Sequence, residues 1–443
     1  MPYGGDMMTQ LINDLRQMVA IPSIGALAQH QLDVRRSADL VAALLIDIGC
    51  RDIQIVDKPY APAIIARFEA PPGAPTICLY AHHDVQPIGE VSDWEYDPLE
   101  VTRVGDRLFG RGTADDKGGI AVHLETIRAF DGKPPIGVTI MIEGEEEIGS
   151  PHSAEFISDQ LDQIKADAFV ILDAGNWAVG QPAFTTTLRG ICDVIIELET
   201  LDHAVHSGQF GGVAPDALTA LCHLLASFHD EQGNVVVDGL QTLIHFDVDY
   251  TPESVFQAAG MLDGVKDLGC GSYTDRLWAK PALSVIGLDT VSVEQSSNTL
   301  LPTARARVSL RVPPGMDAAR ALDALVTHCY SHTPWGAHVK VIPGNLGNPG
   351  QVGADGPIVQ AGLSAYQAAF GVPPVQMGLG GSIPLVNELQ QVFPRAEFLL
   401  TGIADPDSRL HGPNESVDLQ DLQRSVEAQI RLFQTIEPDA NVS

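Results

Sequence analysis

The sequence predicts an α/β protein with a mostly parallel central sheet and a smaller α+β domain inserted into it. Three observations carry this. The short apolar runs "APTICLYA", "GVTIMIEG" and "ADAFVILDAG" are bounded by Gly, Pro or Asp and separated by helical patterns such as "GGIAVHLETIRAF", as buried parallel strands require. From about Leu188 the texture changes: "GICDVIIELETLD" and "ARARVSLRVPPG" alternate like half-buried antiparallel strands, with amphipathic helices in "PDALTALCHLLASFHD" and "DAARALDALVTHCY". Beyond the Gly-rich "VIPGNLGNPGQVGADG", the segments "PIVQAGLSAYQAAFG", "EFLLTGIA" and "DLQDLQRSVEAQIRLFQTI" resume the first texture. The expected division is 1–186 and 348–443 for the larger domain and 187–347 for the insertion.

The chain starts with two helical patterns, "TQLINDLRQMVAI" and "QLDVRRSADLVAALLIDIG", the second stopped by Gly49. At 443 residues it exceeds one ordinary core, and 45% hydrophobic with 19% charged residues is the make-up of a folded protein. A net charge of −31 repels phosphate backbones, which argues against nucleic-acid binding. The six cysteines are scattered without a Cys-x-x-Cys pair, against a thiolate metal site or a disulfide framework and in keeping with a reducing compartment. The start shows no signal-peptide pattern, and no run is long enough to span a bilayer. A cytoplasmic protein with no membrane partner is the expectation.

Ligands of open α/β sheets sit beyond the carboxyl ends of the strands. The run through Leu79 ends in His82-His83-Asp84, the run through Ile142 in "EGEEEIGS", and the run through Leu172 in Asp173. "EFLLTGIA" leads to His411, and "FGRGTADDKGG" places Asp115 and Asp116 before a helix. Singly these are ordinary: adjacent glutamates are usually a solvated turn, and two aspartates suit a helix N-terminus. Together they crowd like charges at one sheet edge, a conflict that a pair of divalent cations removes. Nitrogen and oxygen donors without thiolate suit Zn²⁺, with Mn²⁺ or Co²⁺ as alternatives. Two metals roughly 3.5–4 Å apart need a bridging carboxylate and a bridging water, and a carboxylate beside that water is its general base.

The ordered set "AHHDVQP", "GRGTADDKGG", "EGEEEIGS", "ILDAGNW", "VHSGQFGG", "GGSIP" and "HGPNE" resembles the M20 metallopeptidase family, most closely its carnosinase-like dipeptidase branch. The resemblance implies a zinc-aminopeptidase-like catalytic domain with a lid and dimerisation domain inserted. It implies that His82 and Asp173 bind one metal, that Glu147 and His411 bind the other, and that Asp115 bridges them. Glu146 would be the general base and Asp84 the partner of His82's second ring nitrogen, leaving His83 to face elsewhere. The Asp115–Asp116 peptide would be cis. His206, reaching from a partner subunit, would stabilise the oxyanion, while Asn298, Arg311, Gly381 and Ser382 would bind substrate, with Arg311 on its terminal carboxylate.

Ala81, His83, Ala204-Val205 and Ala214 depart from the residues usual in the family, without removing a ligand or the base. The implied reaction is amide hydrolysis of dipeptides or short peptides with a free C-terminal carboxylate, by a homodimer with two divalent metals per subunit. The alternative is an N-acyl-amino-acid deacylase or desuccinylase of the same family.

Overall fold

The three apolar runs lie side by side in one sheet. In the computed structural model, which describes residues 5–436 apart from 58, 241, 243 and 382, the chain divides into two compact units. The first runs to Thr186 and adds Val352–Met377 and the chain from Pro384 on; the second is Thr187–Gln351 with Gly378–Ile383. The return therefore falls after Gln351 rather than at 347, and the second unit also takes a short piece that the sequence pattern leaves in the larger domain. The cause is Arg189, whose backbone N–H donates to the Leu379 carbonyl at 3.1 Å and whose Nε donates to the Gly380 carbonyl at 3.0 Å.

The sheet of the first unit has six strands in the order Asp52–Val56, Ala63–Phe68, Gly137–Glu143, Thr76–His82, Ala168–Gly175, Glu397–Ala404. The last four are parallel, and the first two form an antiparallel margin. Every residue of Gly137–Glu143 is buried, which is why this stretch reads as an unbroken apolar run rather than an alternation. Helix Lys117–Arg128 packs on strand Thr76–His82, with helices Gly5–Val19 and Leu419–Thr435 against it. It is covered on all sides, and Lys117 through Ile127 are buried. The close fit demands glycine: a Cβ on Gly118 would lie 2.2 Å from the Thr113 carbonyl oxygen, and one on Gly119 2.3 Å from Asp116 Oδ1.

A second, small sheet joins Ser416–Asp418, Arg107–Phe109 and Thr102–Val104, with Ser416 opposite Phe109. This pairing draws the "HGPNE" loop beside the "GRGTADDK" loop, although some three hundred residues separate them. Among the described residues no helix is long and apolar enough to cross a membrane.

The second unit is built on an antiparallel sheet in the order Ala282–Asp289, Thr303–Val312, Gly190–Glu199, His338–Gly347. Ala304, Ala306, Val308, Leu310 and Val312 alternate inward, where with Val194, Ile196 and Leu198 they meet Leu221, Leu224 and Leu325 from helices Ala217–Ala226 and Ala318–His332. Asp216 and Asp317 cap those helices through the N–H groups of Thr219 and Arg320.

In the first unit, strand Glu397–Ala404 approaches Ala168–Gly175 so closely at Gly402 that a Cβ there would sit 1.5 Å from the Ala174 carbonyl oxygen. Backbone cannot swing aside as a side chain can, so Gly402→Ala should destabilise by about 3 kcal/mol or more, the upper end for overpacking. The readout is the urea unfolding midpoint, and an unchanged midpoint would contradict this packing.

Candidate metal centre

Six side chains from five segments converge at the carboxyl ends of the parallel strands. His82 is the last residue of its strand, and Asp173 lies near the end of the neighbouring one. Glu146 and Glu147 open the 3₁₀ turn Glu146–Ile148 that follows Gly137–Glu143. Asp115 precedes helix Lys117–Arg128, and its peptide bond to Asp116 is cis. His411 sits at φ 62° in a loop where Arg409 and Asn414 also have positive φ. Asn414 ties that loop down by accepting the Glu95 N–H at 2.7 Å.

The central group is Asp115. Its Oδ1 lies 2.9 Å from His82 Nε2 and its Oδ2 3.1 Å from His411 Nε2, so one carboxylate faces two imidazoles. Around His82 Nε2 stand Asp173 Oδ1 at 3.8 Å and Glu146 Oε2 at 3.9 Å; Glu147 Oε2 is 3.3 Å from His411 Nε2. The potential ligand atoms of His82, Glu146 and Asp173 lie within 4.8 Å of one another, as do those of Asp115, Glu147 and His411. At bond lengths of about 2.0–2.2 Å, donors sharing one zinc lie roughly 3–3.5 Å apart.

Charge and protonation support a cation pair. His82 Nδ1 lies 3.0 Å from the Asp84 carbonyl and can only donate to it, so the neutral ring turns its Nε2 lone pair toward carboxylate oxygens. That contact repels unless a proton or a cation lies between. Burial alone would lower the His82 pKa, yet contacts with Asp115, Asp173 and Asp84 lift it well above the usual imidazole value. Burial, then the charge of Asp173, raises Glu146 well above the carboxylate range; burial, then Asp115, takes Glu147 to about 7. Asp173 Oδ2 is buried without a hydrogen-bond partner. These nitrogen and oxygen donors fit two divalent cations in place of the protons the site otherwise has to retain.

The surrounding residues hold this geometry. The carboxylate of Asp84 accepts the N–H groups of Glu146 and Glu147 at 3.2 and 3.1 Å, while its Oδ1 is 3.5 Å from His82 Nδ1. It thus fixes the glutamate turn as well as facing the imidazole, whose nearer partner is the Asp84 main chain. Gln86 binds Glu147 through its N–H and its side-chain amide. Glu415 Oε1 accepts the N–H groups of Gly112, Ala114 and Asp115 at 3.0–3.1 Å, and its Oε2 pairs with buried Arg111 at 2.6 Å. Lys117, also buried, donates to the carbonyls of Met18 and Ile21 at the end of the first helix. His83 turns away to the Pro62 carbonyl at 2.7 Å, and burial lowers its pKa to about 4, which keeps it neutral. Glu145 likewise stands apart, bound to the N–H groups of Ala61 and His152.

Residues 78–435 match the model of peptidase family M20/M25/M40. The chain belongs to peptidase family M20. It is 36% identical over 433 residues to a cysteinylglycine-S-conjugate dipeptidase of Corynebacterium striatum, covering 96% of this chain and 95% of that one. Its fold matches a di-peptidase of Saccharomyces cerevisiae with a TM-score of 0.82 at 23% identity, over 97% of this chain and 96% of that one. Human carnosine dipeptidase 1 matches with a TM-score of 0.81 at 24% identity, over 96% and 95%.

The remaining expected site residues of this M20 chain lie in the second unit. His206 pairs with Thr299 in a two-residue ladder, and the Ser207 N–H donates to the Asn298 carbonyl at 2.9 Å, so His206 and Asn298 are neighbours. The Gly208 N–H donates to His206 Nδ1 at 3.0 Å, which leaves Nε2–H of the neutral ring as an outward donor. Arg311 is on strand Thr303–Val312 opposite Ile191. A Cβ on Gly381 would meet nothing within 4 Å. Ser382 lies outside the described residues. Gln86, Lys117 and Glu415 were not singled out from the sequence: each sits within a quoted motif, but its role depends on a distant loop.

Replacing Glu415 by Ala leaves Arg111 buried without its partner and three N–H groups unsatisfied. The expected cost is about 3–5 kcal/mol, as for breaking a buried ion pair. Metal affinity, measured by calorimetric titration of the metal-free protein, should fall about 10–100-fold. Unchanged affinity would mean that Glu415 does not hold Asp115 in place.

Proposed function

We propose that this chain is a two-metal dipeptidase that hydrolyses the amide bond of dipeptides or short peptides ending in a free carboxylate. The observation that carries the reading is Asp115, one carboxylate set between two imidazoles with a glutamate or aspartate beside each. In this reading His82 and Asp173 would hold one cation, Glu147 and His411 the other, and Asp115 would serve both. Zn²⁺ is the first candidate for this donor set, with Mn²⁺ or Co²⁺ as alternatives. When bound, the two cations supply Lewis acidity, which makes water a proton donor near neutral pH and polarises the substrate carbonyl.

The chain's own groups account for the proton movements. A carboxylate oxygen of Glu146 takes the proton of the attacking water, holds it, and delivers it to the departing amine nitrogen. Burial, which raises this carboxyl, makes it a stronger acceptor than an exposed glutamate. His206, through Nε2–H, would donate to the carbonyl oxygen as negative charge develops there. Arg311 would fork onto the terminal carboxylate, with Asn298, Gly381 and Ser382 holding the substrate's end.

The dipeptidase relatives named above favour peptides over N-acyl amino acids, the alternative substrate class. A panel of Xaa-Xaa dipeptides, β-alanyl-histidine included, against acetyl- and succinyl-amino acids tests this with each metal in turn. Faster turnover of the acyl amino acids would reverse the assignment. Glu146→Gln should keep both metals and lose at least about 10²-fold in kcat; near-normal turnover would refute its role as base.

The reading includes a homodimer in which His206 acts on the partner's substrate, and a cytoplasmic location supported by six free cysteines. Strand Ala282–Asp289 is a sheet edge with Val285, Ile286 and Leu288 exposed, the kind of surface a second copy covers. The double variant Val285→Lys/Ile286→Lys should be monomeric by light scattering and inactive while retaining metal. A fully active monomer would exclude action across subunits.

A further inference from the structure

Two arginines of the second unit that are at least half-buried lack the carboxylate partners that this acidic chain offers freely. On the outward face of strand Thr303–Val312, Arg305 pairs with Glu197 and Asp289, and Arg307 with Asp193 at 3.0 Å. The Arg311 side chain, on the same face, makes no ion pair or hydrogen bond among the described residues, and the residue is half-buried. Arg311 stands opposite Ile191, two residues on from Arg189, so an extended chain puts both guanidiniums on one side. Burial, and then the charge of Arg311, lowers the Arg189 pKa to about 10.

Arg189 is almost fully buried, and its partners are neutral. Nε donates to the Gly380 carbonyl at 3.0 Å, and Nη1 to the carbonyls of Arg276 at 3.4 Å and Lys280 at 3.2 Å. Arg276 lies within the π-helical turn Asp275–Ala279 and Lys280 directly follows it, its N–H closing the turn on the Asp275 carbonyl. One guanidinium thus ties the "GLGG" loop to that turn. The glycines of the loop divide accordingly. A Cβ on Gly378 would lie 2.6 Å from Trp278 Cβ, and one on Gly380 2.9 Å from both Arg189 Nη2 and the Leu277 carbonyl oxygen, whereas Gly381 faces open space.

We propose that Arg189 is a positioning residue for recognition of the substrate's terminal carboxylate: it clamps Gly380, so that Gly381 presents its backbone, and it adds a second positive charge beside Arg311. This rests on the dipeptidase reading, in which Arg311 binds that carboxylate. A buried cation without a counter-ion is costly, and an anionic ligand supplies what the chain withholds.

The test measures kcat and KM for a good dipeptide substrate, and the inhibition constant of its C-terminal amide, in wild type, Arg311→Met, Arg189→Met and Arg189→Lys. Arg189→Met should raise KM for the free acid on the order of tenfold, leaving kcat and the amide's inhibition constant within about threefold. Arg189→Lys keeps a charge without the three-way clamp and should fall between. Should Arg189→Met fail to fold, Gly380→Ala displaces the same loop from the other side and should give the same signature. Equal weakening toward acid and amide, or a loss confined to kcat, overturns the proposal. If Arg311→Met removes the preference for acid over amide while the Arg189 and Gly380 variants retain it, the proposal fails alone. If wild type does not prefer the acid, the carboxylate reading fails with it.

Discussion

Repulsion among carboxylates is the constraint that shapes the first unit. Asp115, Glu146, Glu147 and Asp173 meet at one end of one sheet, and Asp116, Glu143 and Glu415 are buried close by. Charges removed from water persist only when paired or richly hydrogen-bonded. The chain answers in two ways. Asp84 and Glu415 are satisfied by backbone N–H groups and, for Glu415, by Arg111, so they act as fixed brackets. The others are left facing two imidazoles and one another, and their pKa values move upward. Asp115 is the exception: burial would raise its pKa, but its contacts with His411 and His82, when those rings carry a proton, hold it below the usual carboxylate range. A carboxylate set between two imidazoles stays ionised, as the bridging role proposed for Asp115 requires.

The brackets make the ligand loops depend on one another. Asp84, two residues beyond His82, binds the turn that carries Glu146 and Glu147, and Gln86 extends that hold to the Glu147 carboxylate. Glu415, four residues beyond His411, binds the loop that carries Asp115. The turn of Glu146 and Glu147 and the loop of Asp115 are therefore each positioned by a residue that follows another of the converging side chains in sequence. Precision of this kind lets a site on loops keep its geometry before a cation arrives.

Much of this was legible in the sequence, for physical reasons. The central strands are buried on both faces and so stand out as apolar runs, and strand ends locate the ligands. The antiparallel strands Asp52–Val56 and Ala63–Phe68 were not among those runs: the first is short and only half-buried. Arg189 and Glu415 could not be read, because what they bind is mostly backbone carbonyls and N–H groups, which leave no mark on the composition of either segment. The inclusion of Gly378–Ile383 in the second unit has the same origin, since it follows from where Arg189 donates.

Unbalanced charge has opposite signs in the two units, yet the logic is shared. With 57 acidic and 26 basic side chains, the chain has a carboxylate to spare for nearly any arginine. Arg107, Arg111, Arg128 and Arg307 all have one within 3.0 Å. Arg311 has lost water without gaining a counter-ion, and Arg189 is deeper still, with carbonyl dipoles alone around it. Folding gains nothing from this, because a methionine or leucine would fill the space without the desolvation cost. The carboxylates of the first unit are uncompensated in the same sense until cations join them. In both units, the charge that the chain itself does not balance is the charge that a bound species completes.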